Sequence, residues 1–311
     1  MAPDGEDAPG IRLGLDIGGT KTEAVVLDAA GAVVGRLRVP TRPGADGVLA
    51  SAEEAVSTMI GALADPPSGA LTLGIGIPGS VDARTGRVAN AVNLGVRDLA
   101  LGRELTGRLG LAARVENDAT AAAWGAFRTI AARRPELTSL ACLNVGTGLA
   151  AGLVLAGRPW RGARGSAGEV GHLALDPAGE QCPCGQRGCL ETVASGSGIA
   201  RRWGRPASGL ADAVLAGQPG AIRVWRDAVR GLATAVRVLV ETLDVELVVL
   251  AGGVAVQGDL LLTDVRRELG EAAASSPFLA SLDLGDRLAV LEPDLPVAAI
   301  GAALLAAEEA A

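Results

Sequence analysis

The side chains best suited to chemistry crowd into one short window, E-V-G-H-L-A-L-D-P-A-G-E-Q-C-P-C-G-Q-R-G-C-L-E, running from Glu169 to Glu191. It holds the only histidine of the 311 residues, His172, and three of the four cysteines, Cys182, Cys184 and Cys189. Three thiolates and an imidazole form a Cys3His set, which fills the four tetrahedral positions that Zn2+ prefers. The cysteines stand too close together for a comfortable disulfide framework, and Cys142 lies far off in an apolar run. Gly185 and Gly188 let the backbone wrap the ligands around one point. A closed four-ligand set leaves no position for water, so the metal is read as structural. The bland alternative is a core histidine beside buried thiols.

Two glycine-rich turns offer a second kind of chemistry. Asp16-Ile-Gly-Gly-Thr-Lys-Thr lies between apolar runs that read as strands, so that the backbone N–H groups of Gly18 and Gly19 and the Thr20 hydroxyl can face a phosphate. Asp16, at the strand end, could hold Mg2+ directly or through water. The order differs from a Walker A loop, and the turn leads into a strand rather than a helix. Gly146-Thr147-Gly148 repeats the construction. Gly74-Ile-Gly-Ile-Pro-Gly79 formally matches G-x-G-x-x-G, but the next segment, Ser80 to Ala89, reads as a hairpin rather than a helix. A close backbone approach to a small polar ligand is the more natural role. Asn117-Asp118 precedes a helical period. Asp118 can serve either as a carboxylate base or as the N-cap of that helix.

The elements that must position these groups alternate between strand and helix. Strands are expected over Ile11–Leu15, Glu23–Leu27, Ala32–Val39, Leu71–Ile77, Ala112–Val115, Leu140–Val145, Ala150–Leu155 and Leu247–Leu250. Helical spacing occupies Leu49–Leu63, Arg97–Leu109, Thr120–Ala132, Pro219–Leu243 and Ala298–Ala310. Such alternation predicts an α/β architecture. The strand–turn–strand at the start recurs near residue 145, so two related lobes are expected. They are placed at 11–118 and 119–297, with a disordered lead-in over 1–10, the cysteine loop at 169–191 and the helix 298–311 returning to the first lobe.

Composition narrows the function classes. The net charge is −7, with 28 basic and 35 acidic side chains, and the arginines are scattered, which argues against a nucleic-acid surface. There is no tyrosine, so burial must come from many small aliphatic contacts. No apolar run approaches the ~20 residues that span a bilayer. The start has neither a basic region nor an apolar stretch of a signal peptide, and reduced metal-binding cysteines fit the cytoplasm.

Taken together, DIGGTKT (16–22), GIGIPG (74–79), ENDATAAAWG (116–125), NVGTGLAAG (144–152), GEVGH (168–172), CPCGQRGCLE (182–191) and LAGGV (250–254) resemble the ROK family of sugar kinases and sugar-responsive repressors. The resemblance implies a two-lobed actin/hexokinase-like (ribonuclease H-like) fold with a zinc-binding loop. It implies ATP- and Mg2+-dependent phosphorylation of a hexose, glucose first, with Asp118 as general base. Asn93, Asn117, Asp118, Glu169, His172 and Glu191, with Gly79, match sugar-binding positions; Asp16, Gly18, Gly19, Thr20, Thr147 and Gly148 match phosphate and Mg2+ positions. Gly252 and Gly253 match the turn that receives adenosine. Lys21, the sole lysine, stays outside the site because its direction from the turn is not legible. After Asn93-Leu94 glucose-phosphorylating relatives often carry a Trp, where this chain has Val96 and Arg97, which opens the choice of sugar to kanosamine, N-acetylmannosamine, mannose or fructose. Repressors of the family carry a DNA-binding segment ahead of the first turn, whereas fifteen residues precede Asp16, so a kinase is expected rather than a sugar sensor. A homodimer is a further implication of the resemblance.

Overall fold

The computed structural model describes residues 10–63, 71–292 and 294–308. The expected lead-in, but for Gly10, and the last residues of the expected C-terminal helix lie outside them. Two units divide the chain, one holding residues up to Arg133 with 161–166 and the segment from Pro296, the other Arg134–Trp160 and Ala167–Leu295. The helix after Asn117 thus joins the first unit, whereas the motifs in the sequence predict a second lobe from 119.

In the first unit β1 (Arg12–Ile17), β2 (Lys21–Leu27) and β3 (Val33–Pro40) form an antiparallel meander, with Ile17 opposite Thr22. Helix α1 (Ala45–Gly61) packs Val48, Leu49, Ala52, Ala55, Val56 and Met59 into the core. Next come β4 (Thr72–Ile77) and a small antiparallel sheet of β5 (Ser80–Asp82), β6 (Arg87–Ala91) and β7 (Val96–Leu99). Helix α2 (Leu101–Leu109) leads to β8 (Ala113–Asn117) and α3 (Asp118–Ala131). The main sheet has the order β3-β2-β1-β4-β8, with β1, β4 and β8 parallel. The ends of these three strands therefore emerge along one edge, the usual place for ligands in an α/β sheet.

The C-terminal helix Val297–Glu308 lies against this sheet and against α3 at backbone distance. A Cβ added at Gly14 or Gly74 would sit 1.9 or 1.8 Å from the carbonyl oxygens of Ala299 and Ala302. One added at Gly125 would come 2.0 Å from the Val297 oxygen, and one at Gly301 1.8 Å from the Ala121 oxygen. This explains Gly74 without a dinucleotide: it makes room for a helix rather than for a pyrophosphate.

The second unit repeats the plan with the order β11-β10-β9-β12-β13. Strands β9 (Leu140–Val145), β10 (Leu149–Leu155) and the short β11 (Arg158–Pro159) are antiparallel; β12 (Leu247–Ala251) and β13 (Leu288–Val290) run parallel to β9. Between them stand α4 (Glu191–Ala194), α5 (Gly196–Trp203), α6 (Leu210–Leu215) and the long α7 (Pro219–Leu243). Pro219 opens α7, where its missing N–H costs nothing, and Asp244 ends it in the left-handed region at φ 49°. Helices α8 (Gly258–Ala274) and α9 (Pro277–Ala280) come after β12.

The α/β class is the one observed, and among the departures from the expected elements two have a clear physical reason. Residues 97–99 are strand rather than helix, because Val96 and Leu99 of β7 are buried in the small sheet and the helix starts only at Leu101. Helix α8 had no expected counterpart; only Leu261, Val265 and Leu269 of its residues are fully buried, a stripe too thin to stand out.

The close helix packing has a direct test. Gly125→Ala should lower the unfolding free energy by about 3 kcal/mol, the upper end for overpacking, because the added methyl meets a backbone carbonyl rather than a movable side chain. Gly107→Ala, exposed on α2 with no atom within 4 Å, should instead be neutral or stabilising by about 0.5–1 kcal/mol. Urea unfolding of the two variants measures the contrast.

Candidate functional site

In the first unit the parallel strand ends bring together Asp16, the Gly18–Thr20 turn, Gly79, Asn117 and Asp118. The turn is closed by Gly18 N–H donating to the Lys21 carbonyl at 3.0 Å. Neither Gly18 nor Gly19 takes a left-handed φ. What Gly19 supplies is room: a Cβ there would stand 3.1 Å from the Asn93 carbonyl oxygen, so Asn93 lies directly on the turn. Asn93 sits exposed in the short 3-10 turn Val92–Leu94. Just beyond this turn Val96 is buried and Arg97 faces solvent.

The N-cap of α3 is Asn117, not Asp118. The Asn117 Oδ1 accepts from Ala119 N–H at 3.0 Å and Thr120 N–H at 3.2 Å, while its Nδ2 donates to the Gly79 carbonyl at 3.2 Å. Its amide is therefore largely committed to shaping the site, with one N–H left over. Asp118 stands first in the helix, where the N-terminal dipole favours its charge, and its Oδ1 accepts from Ala119 N–H at 2.9 Å. Two residues outside the sequence-derived set belong to the same cluster. Buried Glu116 accepts from Asn117 N–H at 2.9 Å through Oε1 and from Arg161 Nε at 2.6 Å through Oε2. Glu116 could have been suspected from its place beside Asn117; nothing in the sequence tied Arg161 to it across 45 residues.

Asp16 and Asp118 share this region. Loss of solvation, then the neighbouring Asp118 carboxylate, then Glu23, push the Asp16 carboxyl up from 3.8 to about 7, against a lowering pull from the Lys21 ammonium. Glu23 itself is held down by Arg38 and Arg36, which bind its Oε1 at 2.8 and 2.6 Å. A bound divalent cation would relieve a carboxylate pair of this kind.

In the second unit the turn 146–148 is closed by Gly146 N–H donating to the Gly148 carbonyl at 3.1 Å. Gly196 N–H and Ser197 N–H in turn donate to the carbonyls of Gly146 and Thr147. Glu191 Oε2 accepts from Leu149 N–H at 3.0 Å, and a Cβ at Gly148 would lie 2.7 Å from that same oxygen. Gly252, at φ 90°, fits against Asn144 and Val145, and Val254 N–H donates to the Val145 carbonyl at 2.9 Å. Packing gives no reason for glycine at 253, since nothing lies within 4 Å of an added Cβ.

The ligand atoms of His172, Cys182, Cys184 and Cys189 all lie within 4.8 Å of one another. Cys184 Sγ is 3.7 Å from Cys189 Sγ, and Cys182 Sγ is 3.9 Å from His172 Nδ1. Tetrahedral metal–sulfur bonds of ~2.3 Å require sulfurs ~3.7–3.8 Å apart, so the donor set fits such an ion. Nδ1 is the nitrogen turned to the sulfurs; Nε2 lies 4.0 Å from Glu169 Oε2. The loop closes through Gly185 N–H to the Cys182 carbonyl and Cys182 N–H to the Gln186 carbonyl. Gly188, at φ 75°, presses on the Asp176 carbonyl, where a Cβ would fall 1.6 Å away.

This combination of turns, END cluster and Cys3His loop is matched along residues 12–309 by the model of the ROK family. The chain belongs to the ROK family. Among the curated relatives of this ROK protein is a glucokinase of Streptomyces coelicolor, 30% identical over 287 residues that cover 83% of this chain and 86% of the relative. An N-acetylmannosamine kinase of Yersinia pseudotuberculosis is 31% identical over 251 residues, covering 79% and 83%. Among solved structures the fold is similar to a ROK family glucokinase from Streptomyces griseus in complex with glucose and AMPPNP. That match has a TM-score of 0.80 and 29% identity, and covers 96% of this chain and 100% of the other.

The raised Asp16 carboxyl sets a pH dependence. Its folded pKa exceeds the unfolded one, so the native state binds the extra proton between pH about 4 and 7, and stability falls as pH rises through that window. The loss approaches about 1.4 kcal/mol per pH unit at its steepest. Asp16→Asn should therefore unfold at a higher temperature than the parent at pH 8 and at nearly the same temperature at pH 4. Melting curves without added divalent cation test this; an equal difference at both pH values would remove the strain from Asp16.

Proposed function

We propose that this ROK protein is an ATP-dependent sugar kinase that phosphorylates a primary hydroxyl of a hexose, with glucose to glucose 6-phosphate as the leading reaction. The observation that carries this reading is the juxtaposition of Asp118 and Asp16 at the strand ends of the first unit. The family membership and the likeness to a glucokinase holding glucose and an ATP analogue support it. The relatedness to an N-acetylmannosamine kinase supports an amino sugar or another hexose as the second reading.

In this proposal the Asp118 carboxylate accepts the proton of the sugar hydroxyl as the hydroxyl oxygen bonds to the γ-phosphorus and the bridge to the β-phosphate breaks. Asp118 suits that role because Asn117, rather than Asp118 itself, caps α3 and Glu116 with Arg161 anchors the end of β8. Asp16 would hold Mg2+, which when bound neutralises phosphate charge. Backbone N–H groups around Gly18–Thr20 and Thr147–Gly148 would meet the phosphates, and the Gly252–Gly253 turn the adenosine. Asn93, Asn117, Glu169, His172, Glu191 and the Gly79 backbone would receive sugar hydroxyls. We assign the Cys3His set to a structural Zn2+, with His172 Nδ1 on the metal and Nε2 turned towards a hydroxyl. Homodimer formation and a cytoplasmic setting belong to the same proposal; no helix of the described residues is long and apolar enough to cross a membrane.

Asp118→Asn should lower kcat by at least ~100-fold while sugar binding by calorimetry stays within a fewfold. Unchanged turnover would take the base role from Asp118, and parent protein with MgATP that phosphorylates no member of a hexose and hexosamine panel would reject the kinase. Comparison of kcat/KM for glucose and N-acetylmannosamine decides between the two substrate readings.

Cys184→Ser should lose the bound zinc, measured by atomic absorption, and raise the sugar KM together with a drop in melting temperature. Loss of zinc with unchanged KM would leave the metal a purely structural part.

A further inference from the structure

Four arginines scattered through the sequence, Arg84, Arg114, Arg161 and Arg164, line a single cavity of about 670 Å³ in the first unit. Among the described residues the only acid on its wall is Asp82, whose Oδ1 is engaged by the Arg84 backbone N–H at 3.1 Å. Arg161 is bound to Glu116. Among the described residues the guanidiniums of Arg84, Arg114 and Arg164 have neither hydrogen-bond nor ion-pair partners. The remaining wall is small, with Ser80, Ala83, Gly162 and Ala163 leaving the space open.

Four arginines against Asp82 and the Glu116 that pairs with Arg161 leave a net positive wall on a chain of net charge −7, a local field opposite in sign to that of the whole protein. Arg84, Arg114 and Arg164 face one open space with Asp82 as the acid among them, and the mutual repulsion of such a group is relieved by an anion held between them. A monocarboxylate would occupy one guanidinium fork; three open forks around one cavity match a phosphate carrying two or more charges, which arginine binds bidentately. The volume lies within the ~300–1,000 Å³ of small-molecule sites. We propose that this pocket binds a small, multiply charged phosphate compound, of the class shared by sugar phosphates and inorganic oligophosphates. The wall begins at Ser80, next to Gly79, and includes the Arg161 that holds Glu116, so an occupant there bears on the END cluster. Binding of this kind lies beyond phosphoryl transfer and does not require it.

Calorimetric titration of the full chain at low salt, with saturating non-hydrolysable ATP analogue to fill any nucleotide site, tests the proposal. Glucose 6-phosphate, inorganic phosphate and tripolyphosphate are the probes. One equivalent of glucose 6-phosphate or tripolyphosphate should bind more tightly than inorganic phosphate, and the affinity should fall as salt is added. The double variant Arg84→Ser/Arg164→Ser should bind at least tenfold more weakly, with an unchanged melting temperature because both side chains are exposed. Arg114→Gln should weaken binding in the same direction. Tighter binding of glucose 6-phosphate identifies a phosphorylated sugar as the source; tighter binding of tripolyphosphate identifies an inorganic one. Absence of binding beside the analogue, or an affinity untouched in the double variant, overturns the site. Since no turnover is read, a chain that failed to phosphorylate any sugar would leave the result standing.

Discussion

The first unit depends on one packing constraint, the contact of the C-terminal helix with the backbones of β1, β4 and α3. Four glycines, at 14, 74, 125 and 301, remove the side chains that would hold these elements apart. With the elements at backbone distance, dispersion contacts are dense even though aromatics make up only 2% of the chain. The same contact fixes the direction in which the site groups emerge. Strands β1 and β4 share the helix as a common floor, and α3 lies against it from the side. Asp16 at the end of β1 and Asp118 at the start of α3 are therefore set by rigid elements rather than by loops, which is what a precise constellation requires.

Such precision works against stability at one point. Two carboxylates brought near each other with little water between them disfavour ionisation, and Asp16 is left near pH 7 in its proton affinity. The neighbouring acids are treated differently. Glu23 receives two guanidiniums and Glu116 an arginine and a backbone N–H. Positive partners were thus available to the fold, yet among the described residues the pull on Asp16 is that of Lys21 acting through space. Neutralisation of Glu23 and Glu116, with no such partner for Asp16 among the described residues, is consistent with the cation-binding role proposed for it.

Much of this was legible in the sequence because the relevant signals are local. The Cys3His set could be read from three cysteines and a histidine in one window, and the structure brings their donor atoms together. Both strand–turn–strand units were visible in the alternation of apolar residues around glycine. Signals that depend on tertiary context were not. The segment at residues 97–99 reads as helix until the small sheet buries Val96 and Leu99. Asn117 and Asp118 are both good caps by type, and only the backbone geometry hands the cap to Asn117. Gly18 and Gly19 invite a left-handed turn, but the need at Gly19 is space for Asn93. The basic pocket is the extreme case. Its arginines come from four separate positions, and scattered arginines in an acidic chain give no hint of convergence.

In the second unit a single carboxylate carries two demands. Glu191 lies two residues beyond Cys189 of the Cys3His set, and its Oε2 holds Leu149 N–H at the exit of the 146–148 turn. Gly148 must be a glycine for this oxygen to approach. The other oxygen, Oε1, has no partner among the described residues and is the one left to receive a sugar hydroxyl in the proposed reaction. A hydrogen bond from a hydroxyl to Oε1 would draw charge from Oε2 and loosen its hold on the turn, while a shift of the Cys3His loop would move both oxygens together. The Cys3His loop therefore need not touch a phosphate to affect the turn proposed to bind one; the path runs through one side chain and one backbone N–H.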